Sequence, residues 1–169
     1  MGDLFLSPNG RIGSVAFIRA GYILILAATA LNLLKMFAPA LAPALALFSM
    51  LLVYPWVVIW IKRLHNGSKR GGGVFLYILV YFIVLLISIS IVLFNFGDGD
   101  FSEIVNAFIS EEISQTEYMR QIEVLAQELA LPILIAGILS SIATLFVGDK
   151  TIPNDPGDNQ YGPEDTVFD

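Results

Sequence analysis

Four long apolar runs, separated by polar segments, organise this chain. Residues 12–34 hold one charge, Arg19, and residues 36–61, 74–96 and 129–147 hold none. A helix rises 1.5 Å per residue, so about 20 residues cross a hydrocarbon core of roughly 30 Å. Backbone N–H and C=O groups must be paired in hydrocarbon, which makes each run a helix. Ile87-Ser88-Ile89-Ser90-Ile91 alternates like a strand, but it lies inside the third run, where the helical reading prevails. The first span is set at 15–36, because the stem of Arg19 is apolar and its head can reach the interface. The second is set at 39–61, with Pro39 and Pro43 shaping its start and Pro55 kinking it. The third is 74–96 and the fourth 129–147. Ala40-Leu41-Ala42 resembles a signal-peptide cleavage site. However, no basic residue precedes Arg11, and the apolar region exceeds the usual length of about 7–15 residues, so the first span is expected to remain.

The segments between these runs are predicted in less detail. Residues 97–128 contain two stretches resembling capping boxes, Asp100-Phe101-Ser102-Glu103 and Ser114-Gln115-Thr116-Glu117. Phe101, Ile104 and Phe108 share one helical face, as do Tyr118, Ile122, Leu125 and Leu129. Two short amphipathic helices follow, about 102–111 and from 115 into span four, with a bend near Pro132. Their apolar faces would lie on the membrane interface or on the ends of the spans. On span four, Ala136, Ser140 and Thr144 form a stripe of small residues suited to close helix packing.

Composition agrees with lipid as the main solvent. Apolar residues make up 56% of the chain, charged residues 14%, and mean hydropathy is +0.75. Cysteine is absent, which excludes disulfides, thiolate catalysis and cysteine-ligated zinc. The net charge of −6 argues against nucleic acid as a partner.

The distribution of charge sets the topology. Lys62, Arg63, Lys69 and Arg70 lie between spans two and three, and Arg11 precedes span one. The segment 97–128 has Arg120 against Asp98, Asp100, Glu103, Glu111, Glu112, Glu117, Glu123 and Glu128. Lysine and arginine near span ends favour the cytoplasm. The expected fold is therefore all-α and polytopic: four transmembrane helices, N-in and C-in, with two short external amphipathic helices between spans three and four. Residues 1–14, the basic loop 62–73 and the polar tail 148–169 would be cytoplasmic, and 97–128 external.

No catalytic constellation emerges, and no cofactor or metal site is expected. His65 is the single histidine, and no nucleophile–base pair stands out. Ser68-Lys69-Arg70-Gly71-Gly72-Gly73 lacks P-loop spacing, and Asn66-Gly67-Ser68 reads as a turn rather than a glycosylation site. Asp98-x-Asp100-x-Ser102 fails the EF-hand pattern, because Glu103 stands at the glycine position and Ile109 at the twelfth.

Three segments carry a resemblance: Asn9-Gly10-Arg11-Ile12-Gly13, Lys62-Arg63-Leu64-His65-Asn66 and Asn159-Gln160-Tyr161-Gly162-Pro163. In order around four spans, they are similar to the small YhaH-like bacterial inner-membrane proteins, a family without an assigned activity. Its pattern is a Gly-Arg-Ile/Leu start, an Arg-Arg-Leu-His-Asp element followed by glycine and a tryptophan pair, and a Gly-x-Asn-x-Phe/Tyr-Gly-Pro tail. Here Lys62 replaces the first arginine, Asn66 the aspartate, and Gly72 and Gly73 the tryptophans; the acidic segment before span four is unusual for the family. The resemblance implies location in the bacterial inner membrane and a four-span fold.

Topology would bring all three segments to one face. Arg11, Lys62, Arg63, His65, Asn66, Asp158 and Asn159 are the candidate polar cluster, with tail carboxylates and amides pairing with the basic loop. The expected function is a non-catalytic binding or structural module. Its partners would be the bilayer, anionic phospholipid head groups, and a second copy or another membrane protein. A small transporter or channel subunit is the alternative.

Overall fold

The computed structural model describes residues 2–97 and 99–163. Among them the ordered elements are helical, and four helical stretches, Ser14–Phe37, Pro39–Asn66, Gly71–Phe96 and Ala130–Thr151, are long and apolar enough to cross a membrane. The α-helices are α1 (Gly2–Leu6), α2 (Ser14–Phe37), α3 (Ala42–Leu51), α4 (Val53–Asn66), α5 (Val74–Phe96), α6 (Asp100–Ile109), α7 (Gln115–Glu128) and α8 (Ala130–Thr151). Single 3₁₀ turns at Pro39–Leu41 and Gly71–Gly73 lead into α3 and α5. Asp98, first of the would-be calcium ligands, and residues 164–169 of the expected tail lie outside the described residues.

Proline position explains why the kink expected at Pro55 and the bend expected near Pro132 are helix breaks. The second run is not one kinked helix: α3 ends and α4 begins around Leu52, three residues before Pro55. Leu129 likewise separates α7 from α8, three residues before Pro132. A proline ring collides with the carbonyl four residues back and offers no N–H to it, so the preceding helix stops there. Both prolines then sit in the first turn of the next helix, where a missing N–H costs nothing.

A further departure concerns the basic loop. Lys62, Arg63, Leu64, His65 and Asn66 are not loop but the last turn of α4. Gly67 follows, and a Cβ there would lie 2.9 Å from Ile152 Cγ2 and 3.0 Å from the Pro153 carbonyl oxygen. Only glycine permits the tail to approach that closely.

The start of α6 differs from expectation, whereas α7 starts at Gln115 behind a Ser114 cap as expected. Gly99, with φ of 85°, caps α6, and Ser102 Oγ donates to its carbonyl at 2.7 Å, so Asp100 is inside the helix rather than its cap. At α7 the Ser114 Oγ accepts the Glu117 N–H at 3.3 Å. The Glu117 carboxylate turns toward Arg120 and Gln121, at 2.6 to 2.8 Å.

The chain divides into two compact units, Met1–Phe82 with Ser141–Asp169, and Ile83–Ser140. The core of the first centres on Trp60. Its ring meets Phe17 edge-on, centroids 4.8 Å apart, and stacks on Tyr77 at 4.5 Å. Gly148 of α8 lies against the same indole: a Cβ there would fall 2.3 Å from two of its ring atoms. In the second unit Ser140 Oγ donates to Ser88 Oγ at 3.1 Å and to its own helix at Ala136 O. The small stripe Ala136, Ser140 and Thr144 is buried. Large apolar side chains elsewhere on the long helices are exposed, Phe94 and Phe37 most of all. Such surfaces require a nonaqueous solvent.

Candidate functional site

The first unit buries the polar or charged side chains of Lys62, Arg63 and Asn66 at the end of α4, and that of Arg11 from far along the chain. Arg11 lies on the short connector between α1 and α2, fastened where Ile12 N–H donates to the Lys62 carbonyl at 3.3 Å. Arg63 and Asn66 project from the last turn of α4. The facing partner is the chain after α8. Ile152 anchors it as a 1%-exposed aliphatic side chain in an otherwise polar tail.

A continuous hydrogen-bonded row links the two arginines. Arg11 Nε donates to Asn66 Oδ1 at 2.8 Å. Asn66 Nδ2 donates to Asn154 Oδ1 at 2.8 Å, and the same oxygen accepts from Arg63 Nη1 at 2.6 Å. The remaining Nη donors go to main-chain carbonyls. Arg11 Nη1 reaches Gly157 O at 2.7 Å and Nη2 reaches Asp155 O. Arg63 Nη2 reaches Ile152 O at 2.6 Å and Asp149 O at 3.3 Å. Asp155 N–H donates back to the Asn66 carbonyl at 3.0 Å. The carboxylate nearest Arg63 is that of Asp149, 3.8 Å away on α8, which also accepts from Ser14 Oγ. Arg63 is 1% exposed, and its Nε has no partner among the described residues.

His65 joins a second contact. Its ring stacks on Tyr161, centroids 3.8 Å apart and 2° from parallel. Its Nδ1 lies 3.0 Å from the Gly10 carbonyl, which can only accept, so Nδ1 carries the proton in this contact. The tail here is a tight turn in which Asn159 and Gly162 exchange backbone hydrogen bonds and Tyr161 N–H donates to Asn159 Oδ1 at 2.9 Å. Asn159 Nδ2 donates to the His65 carbonyl at 3.0 Å.

Of the seven residues expected from sequence, Arg11, Arg63, His65, Asn66 and Asn159 are thus brought together. Lys62 is buried beside them but turns the other way, its Nζ donating to Asp3 O of α1. Asp158 is exposed on the tail. Of the expected tail carboxylates and amides, the Asn154 amide accepts from Arg63 and the Asp149 carboxylate lies 3.8 Å from it, while the other tail partners of the two arginines are main-chain carbonyls. Sequence reasoning missed Asn154 and Asp149. The available signal was Ile152-Pro153, an apolar residue and a proline ahead of Asn154, marking chain that packs rather than dangles.

No family model, no curated protein and no solved structure matches the chain.

Proposed function

We propose that this chain is a bacterial inner-membrane protein, akin to the YhaH-like family, with both termini in the cytoplasm. It serves as a non-catalytic structural and binding module. Its tail is clasped across the ends of α4 and α8, and anionic phospholipid head groups meet the basic residues left at the surface.

The disposition of Arg63 carries this reading. A 1%-exposed guanidinium whose Nη donors are directed to Asn154, Ile152 O and Asp149 O is a structural bolt. Arg11 is used the same way. Lys69 and Arg70, by contrast, are exposed just beyond α4, and each such cation near an anionic leaflet is worth about 1 kcal/mol. The transporter alternative asks for a polar route through the spans. Ser88 and Ser140, within α5 and α8, instead bond to each other and to carbonyls of their own helices.

Native mass spectrometry of protein released from nanodiscs containing phosphatidylglycerol tests the lipid role. The double variant K69Q/R70Q should retain less phosphatidylglycerol than the wild type, and equal retention overturns that role. Limited proteolysis tests the clasp: R63L should lose tail protection while keeping its lipid. A tail as resistant in R63L as in the wild type overturns the clasp.

A further inference from the structure

The second unit contains a feature that the clasp does not use. Helices α6 and α7 form an antiparallel hairpin closed at its turn by Phe108 stacked on Tyr118, centroids 4.5 Å apart. Between the helices is an open cleft of about 460 Å³. Its floor is apolar, with Ile104 and Ala107 from α6 and Leu125 from α7. Its rim holds the carboxylates of Asp100, Glu103 and Glu128. These three are exposed, and no hydrogen bond or ion pair reaches them from the described residues. Arg120 also lines the cleft, but its charge is met by Glu117 at 2.6 Å.

We infer that this cleft is a docking groove for a lysine- or arginine-bearing amphipathic helix of a partner protein. The apolar groove between two antiparallel helices is the surface a third helix covers by ridge-into-groove packing. The rim chooses the sign of its charge. Asp100 and Glu103 are one turn apart on α6 and Glu128 faces them from α7, so cations flanking an apolar stripe would meet carboxylates on both sides. A single metal ion does not fit, because no group of three acidic or histidine side chains among the described residues could ligate one. Anionic lipid does not fit either, since like charge repels it. The stems of lysine and arginine are apolar and can lie along the floor while their heads reach the rim.

The test uses the full chain in phosphatidylcholine nanodiscs. The probe is a fluorescent synthetic helix with leucines on one stripe and lysines beside it, and binding is followed by anisotropy. Loss of two rim charges in E103Q/E128Q should weaken binding about tenfold. A107W, which fills the floor and keeps every charge, should weaken it at least as much. E111Q/E112Q, which removes two charges outside the cleft, should leave it unchanged. The inference is overturned if E111Q/E112Q weakens binding as much as E103Q/E128Q, because the attraction is then diffuse. It is also overturned if A107W has no effect, if empty nanodiscs bind the probe equally, or if micromolar magnesium displaces it.

Discussion

Two glycines show how much depends on what a neighbouring side chain can do. A methyl group at Gly21 would meet Leu145 Cδ1 at 2.4 Å, and one at Gly148 would meet the Trp60 ring at 2.3 Å. The distances are nearly equal, but the consequences are not. Leu145 ends in a flexible isobutyl group that can change rotamer, whereas Trp60 is held between Phe17 and Tyr77. G148A should therefore destabilise by about 1–3 kcal/mol, the usual range for overpacking, and G21A by less. Thermal unfolding of the two variants in the same detergent checks the order. Glu117 provides a second test at this scale. Hydrogen bonds from Arg120 and then Gln121 hold its carboxyl down at about 2, below its ordinary 4.5. A lowered folded-state value stabilises above pH 4.5, and the gain disappears as pH falls from there through about 2. The start of α7 should accordingly keep its order at pH 4. In R120A the Glu117 titration, followed by carboxyl NMR shift, should move up toward 4.5.

At the scale of elements, proline decides where helices stop. P132A restores an N–H and removes a ring clash, so α7 and α8 should fuse through Leu129. Spin labels at positions 118 and 139 should then separate toward the roughly 30 Å of an unbroken helix of that length. An unchanged distance would mean that packing rather than Pro132 sets the break. The elements themselves were largely legible in the sequence, because a run of apolar residues long enough to cross lipid has few alternative structures. Span three begins and ends where expected, at Val74 and Phe96. The last turn of α4 was not legible. Charged residues after an apolar run usually mark the loop, and Lys62 to Asn66 become helical because their side chains find buried partners far along the chain. Of the candidate cluster, the grouping of Arg11, Arg63, His65, Asn66 and Asn159 could be inferred from motif order and charge. Their partners could not. A main-chain carbonyl belongs to every residue, so no residue type advertises that Arg11 reaches 155 and 157.

For the whole molecule, four apolar helices exposing most of their large side chains point to a bilayer as the surrounding medium. The lysine and arginine bias sets the expected direction of insertion. A phosphatase reporter fused after Asp169 should be inactive and a cytoplasmic fluorescent reporter active. An active phosphatase at that position would reverse the proposed topology and place Lys69 and Arg70 on the other side of the membrane.

Because the arginines hold the tail by its main chain, the fastening is indifferent to most tail side chains but sensitive to spacing. Asp155→Ala keeps the carbonyl that Arg11 uses. One residue inserted between Pro153 and Gly157 would put every later carbonyl out of step with its guanidinium and carry Tyr161 away from His65. Over evolutionary time such a tail is free to change its lettering outside Ile152, Asn154, Asn159 and Tyr161, and with it whatever its outer surface meets, as long as it keeps its count.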